Sequence, residues 1–394
     1  MPLSPKQLRA LFPAVLRTSY LNAAASSPIA LPVEKAAADH LRETVEWGDV
    51  GFSSWLSRKE EIRSRFARFI GAREGEVGFL PSTSMGFQAV GRMLHELGVR
   101  EVVTLAEEFP STTLPFLHQG FRLRVVRARA DGSYPVEDIA AAVTRRTGAI
   151  ALSAVQYASG YRAELEALGR LCRAQKLYFA VNGAQALGQV KVDVRAQRID
   201  FLCGTSHKWM MGGYGTGVFF ARKALLEKVQ LPFAGWLSVE KAMAMAPFVG
   251  AKTRGKGRVF IARGAHFRRE ASALEAGCGA YAPLFSFGAA LELIERVGLP
   301  TIEAHHARLQ KALRRRLRAL GFVPNAPDER ARGSGICVFR VQGEPHRVAA
   351  ELAKKGVMVS PRGVGIRVST HVFNNEEDVD QLFWAMGKLG VRAR

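Results

Sequence analysis

Short apolar runs alternate with stretches of helical spacing between residues 76 and 220, and this alternation restricts the fold more than any other feature of the chain. Strands are expected at 76–80, 102–105, 123–126, 149–155, 177–181, in the run that ends before Gly204, and at 218–220. Helices are expected after Ser84, from about residue 111, over 136–143 and over 161–176, where Leu165, Leu168, Leu171 and Cys172 share one face. The run 177–181 is apolar throughout, as a strand covered on both sides must be. Repeated β-α-β units of this kind build an α/β fold, with a mostly parallel central sheet and helices on both faces. Ligands of such sheets sit beyond the strand ends. Chemistry is therefore expected in the loops after Leu80, Leu105, Val155, Val181 and Gly204.

Helices are also expected at 33–47 and 55–70, and again at 285–297 and 302–320. Between 236 and 270 the chain is rich in Gly, Met and basic residues without a period, which reads as long loops near an active site or a subunit contact. Strands at 336–341, 357–360 and 365–369, with helices at 345–355 and 375–389, read as a smaller α+β domain. The expected organisation is an N-terminal segment near the active site (1–25), a large domain (26–285) and a small C-terminal domain (286–394). A chain of 394 residues, 48% of them hydrophobic, can bury cores of this extent.

Other classes of function fit less well. No apolar run is long enough to span a bilayer and the first residues lack a signal-peptide core, so a cytoplasmic protein is expected. The four cysteines are widely separated and form no C-x-x-C pair, which argues against zinc and against a disulfide framework. A net charge of +21 raises the question of a nucleic-acid partner, but the basic residues are dispersed. The densest cluster, 311–318, has leucines at helical spacing and reads as a surface helix, so nucleic acid is not the expected partner.

Two loops stand out. After the strand ending at Gly204, Thr205-Ser206-His207-Lys208 places one lysine at the mouth of the sheet, with Gly212, Gly213, Gly215 and Gly217 following it. A lysine held there can attack a phosphate-bearing aldehyde. After Leu80, Ser82-Thr83-Ser84 opens a helix, a pattern that serves either as a plain cap or as a phosphate site on free amide groups.

Taken together, Ser82-Thr83-Ser84, Phe109, Tyr157, Asn182-Gly183-Ala184-Gln185, Ser206-His207-Lys208 and Ile366-Arg367-Val368-Ser369-Thr370-His371 resemble the class V aminotransferase superfamily of fold-type I pyridoxal 5'-phosphate (PLP) enzymes. The resemblance runs from Tyr20-Leu21-Asn22 to His371 and is strongest over 180–194 and 200–217. It implies that Lys208 carries PLP as a Schiff base and moves protons at the substrate carbon. Ser82, Thr83, Ser84, Ser206 and His207 would then form the phosphate cup, Phe109 and Tyr157 would flank the cofactor, and Gln185 would contact the ring hydroxyl. Arg367 would clamp a substrate carboxylate, with Asn22 and Ala24 lining the pocket. A homodimer with shared active sites is part of the same expectation.

Three positions depart from the family pattern. Asn182 stands where the family has an aspartate against the pyridine nitrogen, and a neutral amide makes the ring a weaker electron sink. Cys278 replaces a threonine that reaches the neighbouring subunit's phosphate. The stretch Ser360-Pro361-Arg362-Gly363-Val364-Gly365 lacks the sulfur-accepting cysteine of desulfurases, and Cys337 sits in an apolar strand. The expectation is a PLP enzyme acting on an amino-acid-like substrate by β-elimination, C–S cleavage or epimerisation. An aminotransferase is the alternative, and a binding protein on a PLP fold, with little or no catalysis, is a third.

Overall fold

The computed structural model describes residues 5–244, 266–325 and 333–394. Its centre is a seven-stranded sheet: β1 (Val77–Leu80), β2 (Glu101–Leu105), β3 (Arg122–Val126), β4 (Thr147–Ser153), β5 (Tyr178–Asn182), β6 (Phe201–Thr205) and β7 (Gly217–Ala221). The order across the sheet is β1-β7-β6-β5-β4-β2-β3, and β7 alone runs antiparallel to its neighbours. Successive side chains point to opposite faces of a strand. Val103, Ile150, Leu152, Leu202 and Phe220 therefore enter one apolar cluster, while Val102, Ala149, Ala151, Phe201, Cys203 and Phe219 enter the other. Both faces being covered explains the unbroken apolar runs.

The small domain is a three-stranded antiparallel sheet of β8 (Ile336–Arg340), β9 (Ser360–Arg362) and β10 (Gly365–Ser369), with β10 in the middle. Helices Leu299–Ala319, Pro345–Lys354 and Glu376–Lys388 cover it, and Leu313, Leu317, Leu352 and Leu382 fill its core. Helix Tyr281–Val297 leads into this region and packs in the large apolar cluster through Phe285, Phe287 and Leu291. The N-terminal segment joins both parts: Ser19–Tyr20 pairs in parallel with Val357–Met358, and Leu21 is buried in the small-domain core.

Three local expectations need correction. The helix expected over 161–176 spans Leu165–Ala174. Gly160 turns the chain at φ 82°, Arg162 bridges back to Val155, and Tyr161 is buried with its hydroxyl donating to the Tyr134 carbonyl at 2.9 Å. Leucine spacing becomes helical only from Leu165 onward. The strand expected over 357–360 is two pieces, because Val357–Met358 pairs with the N-terminal segment and Ser360–Arg362 turns to pair with β10. The strand expected over 149–155 ends at Ser153, where the chain leaves the sheet for the active-site side. Of the aperiodic stretch 236–270, residues 245–265 lie outside the described residues, and its described start forms the short turns Trp236–Ser238 and Ala242–Ala244.

Glu275 ties the edge of the sheet to the helix Phe52–Ile70. Its buried carboxylate accepts from Arg63 Nη1 (2.5 Å), Lys59 Nζ (2.8 Å) and the Phe79 amide (3.0 Å). Burial alone would raise its pKa, but Arg63 and Lys59 outweigh that and hold it below the usual 4.5. A carboxylate whose folded pKa is depressed contributes stability above its unfolded pKa, and that contribution is lost as pH falls through the folded value. Glu275→Gln should destabilise the protein by about 3 kcal/mol at neutral pH by leaving buried Lys59 without its acid and Arg63 with Glu60 as its remaining one. Urea unfolding at neutral and acid pH should show the gap between the two proteins closing as the pH drops.

Candidate active site

Lys208 lies in the turn beyond β6. The turn is closed by the Ser206 amide on the Thr216 carbonyl (3.0 Å) and by Ser206 Oγ on the Gly213 carbonyl (2.6 Å). The N-terminal segment crosses it, with the Ser27 amide and Ser26 Oγ both donating to the His207 carbonyl at 2.8 and 3.2 Å. Lys208 Nζ stands 5.1 Å from the centroid of Phe109, and Phe109 meets Tyr157 edge-on at 5.3 Å. Burial, then Arg367, then Arg362, pull the lysine's pKa from 10.5 to about 8. A substantial fraction of neutral amine is therefore present near neutral pH.

The expected phosphate residues divide by partner. Ser82 Oγ caps its helix by accepting from the Met85 amide (3.3 Å), Ser84 Oγ donates to Ser111 Oγ (2.8 Å), and Ser206 is held by Gly213. Thr83 Oγ1 is buried and has no partner, at the N-terminus of the helix Thr83–Glu96. Gly217 brings this N-terminus against the lysine turn: a Cβ there would lie 2.9 Å from both the Leu80 oxygen and the Ser82 carbonyl carbon. His207 pairs with Thr205 Oγ1 at 2.7 Å and stacks on Tyr214 at 4.3 Å. Burial and Lys208 lower its pKa to about 4, so its imidazole is neutral at physiological pH.

Asn182 ends β5 with both halves of its amide engaged. Oδ1 accepts from the Ala184 amide (2.9 Å) and Nδ2 donates to Thr112 Oγ1 (2.8 Å). Thr112 in turn hydrogen-bonds Glu108, a buried carboxylate that accepts from the Ser153 amide (2.7 Å), Ser153 Oγ (2.5 Å) and Gln156 Nε2 (2.7 Å). Burial raises the Glu108 pKa, and these bonds offset it only in part. Gln185 accepts from Trp209 Nε1 (2.7 Å) and donates to the Ala24 carbonyl (2.8 Å), so it fixes the N-terminal segment as well as the turn after Lys208.

On the small-domain side, Arg367 is buried and donates Nη1 to the Tyr157 carbonyl at 3.2 Å, while its Nε and Nη2 have no partner. Asn22 Oδ1 accepts from Ser360 Oγ (2.5 Å), and the Ala24 amide donates to Ser369 Oγ (2.9 Å). The fold thus gathers Lys208, Phe109, Tyr157 and Arg367, and it joins Asn22, Ala24 and Gln185 by hydrogen bonds around them. Cys278 is exposed. Sequence reasoning missed Glu108, Thr112, Trp209 and the role of Arg362 as a neighbour of Lys208. For Glu108 the signal was faint, an acid next to an aromatic residue at a strand end.

The chain belongs to the Aminotransferase class-V family, whose pattern it matches over residues 19–382. It is 24% identical over 385 residues, 95% of either chain, to an uncharacterized aminotransferase, YcbU, of Bacillus subtilis. The apo cysteine desulfurase of Thermococcus onnurineus superposes with a TM-score of 0.85 at 25% identity, over 99% of each chain. A lysine-to-alanine variant of C-DES, solved with glycine covalently linked to its PLP, shares the fold at a TM-score of 0.81 and 18% identity, over 96% of this chain and 98% of that one. The protein is a PLP-dependent enzyme of this family. Its residues fit the cofactor: Lys208 is a partly neutral amine, and the unpartnered Thr83 hydroxyl at a helix N-terminus suits a phosphate.

Two outcomes follow. PLP uptake by apoprotein should rise with pH through about 8 as Lys208 loses its proton, and Arg367→Gln should move that profile to higher pH, since removing a cation favours the ammonium. Stopped-flow absorbance across a pH series reads both. Asn182→Asp would set a second carboxylate on the Thr112 hydroxyl beside Glu108. Its destabilisation should be relieved in the Asn182→Asp, Glu108→Gln double variant, with a coupling of about 0.5–3 kcal/mol by urea unfolding.

Proposed function

We propose that this protein is a PLP-dependent lyase that takes the Cα proton of an amino acid with Lys208 and expels a group from Cβ, C–S cleavage being the favoured outcome. The supporting observation is the convergence of Lys208, its pKa lowered to about 8, with a buried Arg367 that has two unpartnered donor nitrogens. Bound PLP supplies electron withdrawal from the bonds at Cα. Arg367 offers Nε and Nη2 to the substrate carboxylate, which orients the Cα–H bond. The neutral amine of Lys208 accepts that proton, and its ammonium form holds it for return to the leaving group or to product. Phe109 and Tyr157 form an aromatic wall beside the amine.

Two features favour elimination. Asn182 would present a neutral amide to the cofactor ring, which suits an outcome in which negative charge departs promptly with the Cβ group. The loop 360–365 beside Arg367 carries no thiol to receive sulfur: Cys172, Cys203 and Cys337 are buried, and the exposed Cys278 lies elsewhere in the chain. The solved relative C-DES is described as a cystine C–S lyase, which agrees with this reading.

β-Substituted amino acids, cystine included, should release a 2-oxo acid and free ammonia in equal amounts. Lys208→Ala should lower kcat by on the order of 10²–10⁴ while PLP still binds. Transfer of the amino group to an added 2-oxo acid, with no free ammonia, would establish the aminotransferase alternative instead.

A further inference from the structure

Arg362 shares the site without being accounted for by a single-carboxylate clamp. In β9 and β10, Arg367 lies opposite Ser360 and Arg362 lies opposite Gly365. Cross-strand partners and their i+2 neighbours project from the same face, so both arginines rise from one side of the hairpin. Tyr157 meets both: its carbonyl takes Arg367 Nη1, and its ring centroid stands 6.0 Å from Arg362 Cζ. Arg362 gives Nη1 to the Pro361 carbonyl at 2.7 Å and keeps a buried Nε without a partner.

Several other buried or half-buried cations among the described residues are neutralised by acids. Arg63 and Lys59 share Glu275 at 2.5 and 2.8 Å, and Arg9 meets Asp378 at 2.7 Å. Among the described residues no acid plays that part for Arg362 or Arg367; besides burial, Tyr157 acts on both and Arg362 acts on Arg367. Two adjacent guanidiniums repel one another, and one carboxylate already satisfies the free donors of Arg367. The second arginine is balanced only when a ligand brings two anionic groups.

We propose that the site selects amino acids whose side chain ends in a second acidic group, with the α-carboxylate on Arg367 and the distal acid on Arg362. This builds on the reading of the Lys208 and Arg367 cluster as an amino-acid site. Arg362 is then a specificity-determining residue, and the Cβ leaving group or its substituent carries the distal acid.

The test is calorimetric titration of the PLP-loaded protein with succinate and with butyrate, which match in length and differ by one acid group. Wild type should bind succinate about tenfold or more tighter, the gain from one charge-assisted contact. Arg362→Gln should level the two affinities, Arg362→Lys should keep part of the preference, and Arg367→Gln should weaken both ligands. L-aspartate against L-alanine, followed by the cofactor's absorption, should give the same order. Equal binding of the two acids by wild type, or a preference that survives Arg362→Gln, overturns the inference. Inorganic phosphate binding as tightly as succinate also overturns it, because that is the mark of an unselective anion hole. Failure to take up PLP would instead sink the lyase reading, and the succinate-to-butyrate ratio would still decide this one.

Discussion

A lysine reacts as an amine near neutral pH only where nothing nearby rewards its proton. In this protein that condition is met by burial and by withholding acids: Lys208 is largely buried, with Arg367, Arg362 and the Phe109 ring beside it, and its pKa falls to about 8. The rest of the site follows from this. His207 stays neutral because it too sits beside the lysine in a buried turn. The arginines keep their charge uncompensated because no carboxylate among the described residues pairs with them. Placing an acid within reach of this cluster would stabilise the unliganded protein and disable it together.

The same economy of charge gives a physical reason for Asn182. Beneath it lies Glu108, a buried carboxylate linked through the Thr112 hydroxyl. A hydroxyl has one proton to give, and here Asn182 Nδ2 donates to Thr112, leaving that proton for Glu108. An aspartate in place of Asn182 would compete for the proton and set like charges close together. The amide thus suits its foundation.

Much of this was legible in sequence. The alternation of strands and helices and the lysine turn follow from local pattern, because a strand covered on both faces must be apolar and a ligand loop must interrupt it, whereas Arg367 was reached through the family resemblance. What was not legible depended on partners far along the chain. Glu108 reads as one of two adjacent acids in a loop until Ser153 and Gln156 arrive from the end of β4 to bury it. Arg362 drew notice only as part of a loop lacking cysteine; its face is set by register with β10. Among five polar residues resembling a phosphate cup, sequence alone could not say that Ser82, Ser84 and Ser206 would turn to protein partners and leave Thr83 free. The helix expected from residue 161 began later because Gly160 reverses the chain.

The N-terminal segment adds a mechanical constraint. Within a few residues it pairs with the small domain at Ser19–Tyr20, bridges β10 at Asn22, gives its Ala24 carbonyl to Gln185 and anchors on the His207 carbonyl through Ser26 and Ser27. Any rotation of the small domain that carried Arg362 and Arg367 away from Lys208 would have to stretch this strap or take it along. The distance between the cation pair and the reacting amine is therefore set in part by a stretch of chain that contributes no charge of its own.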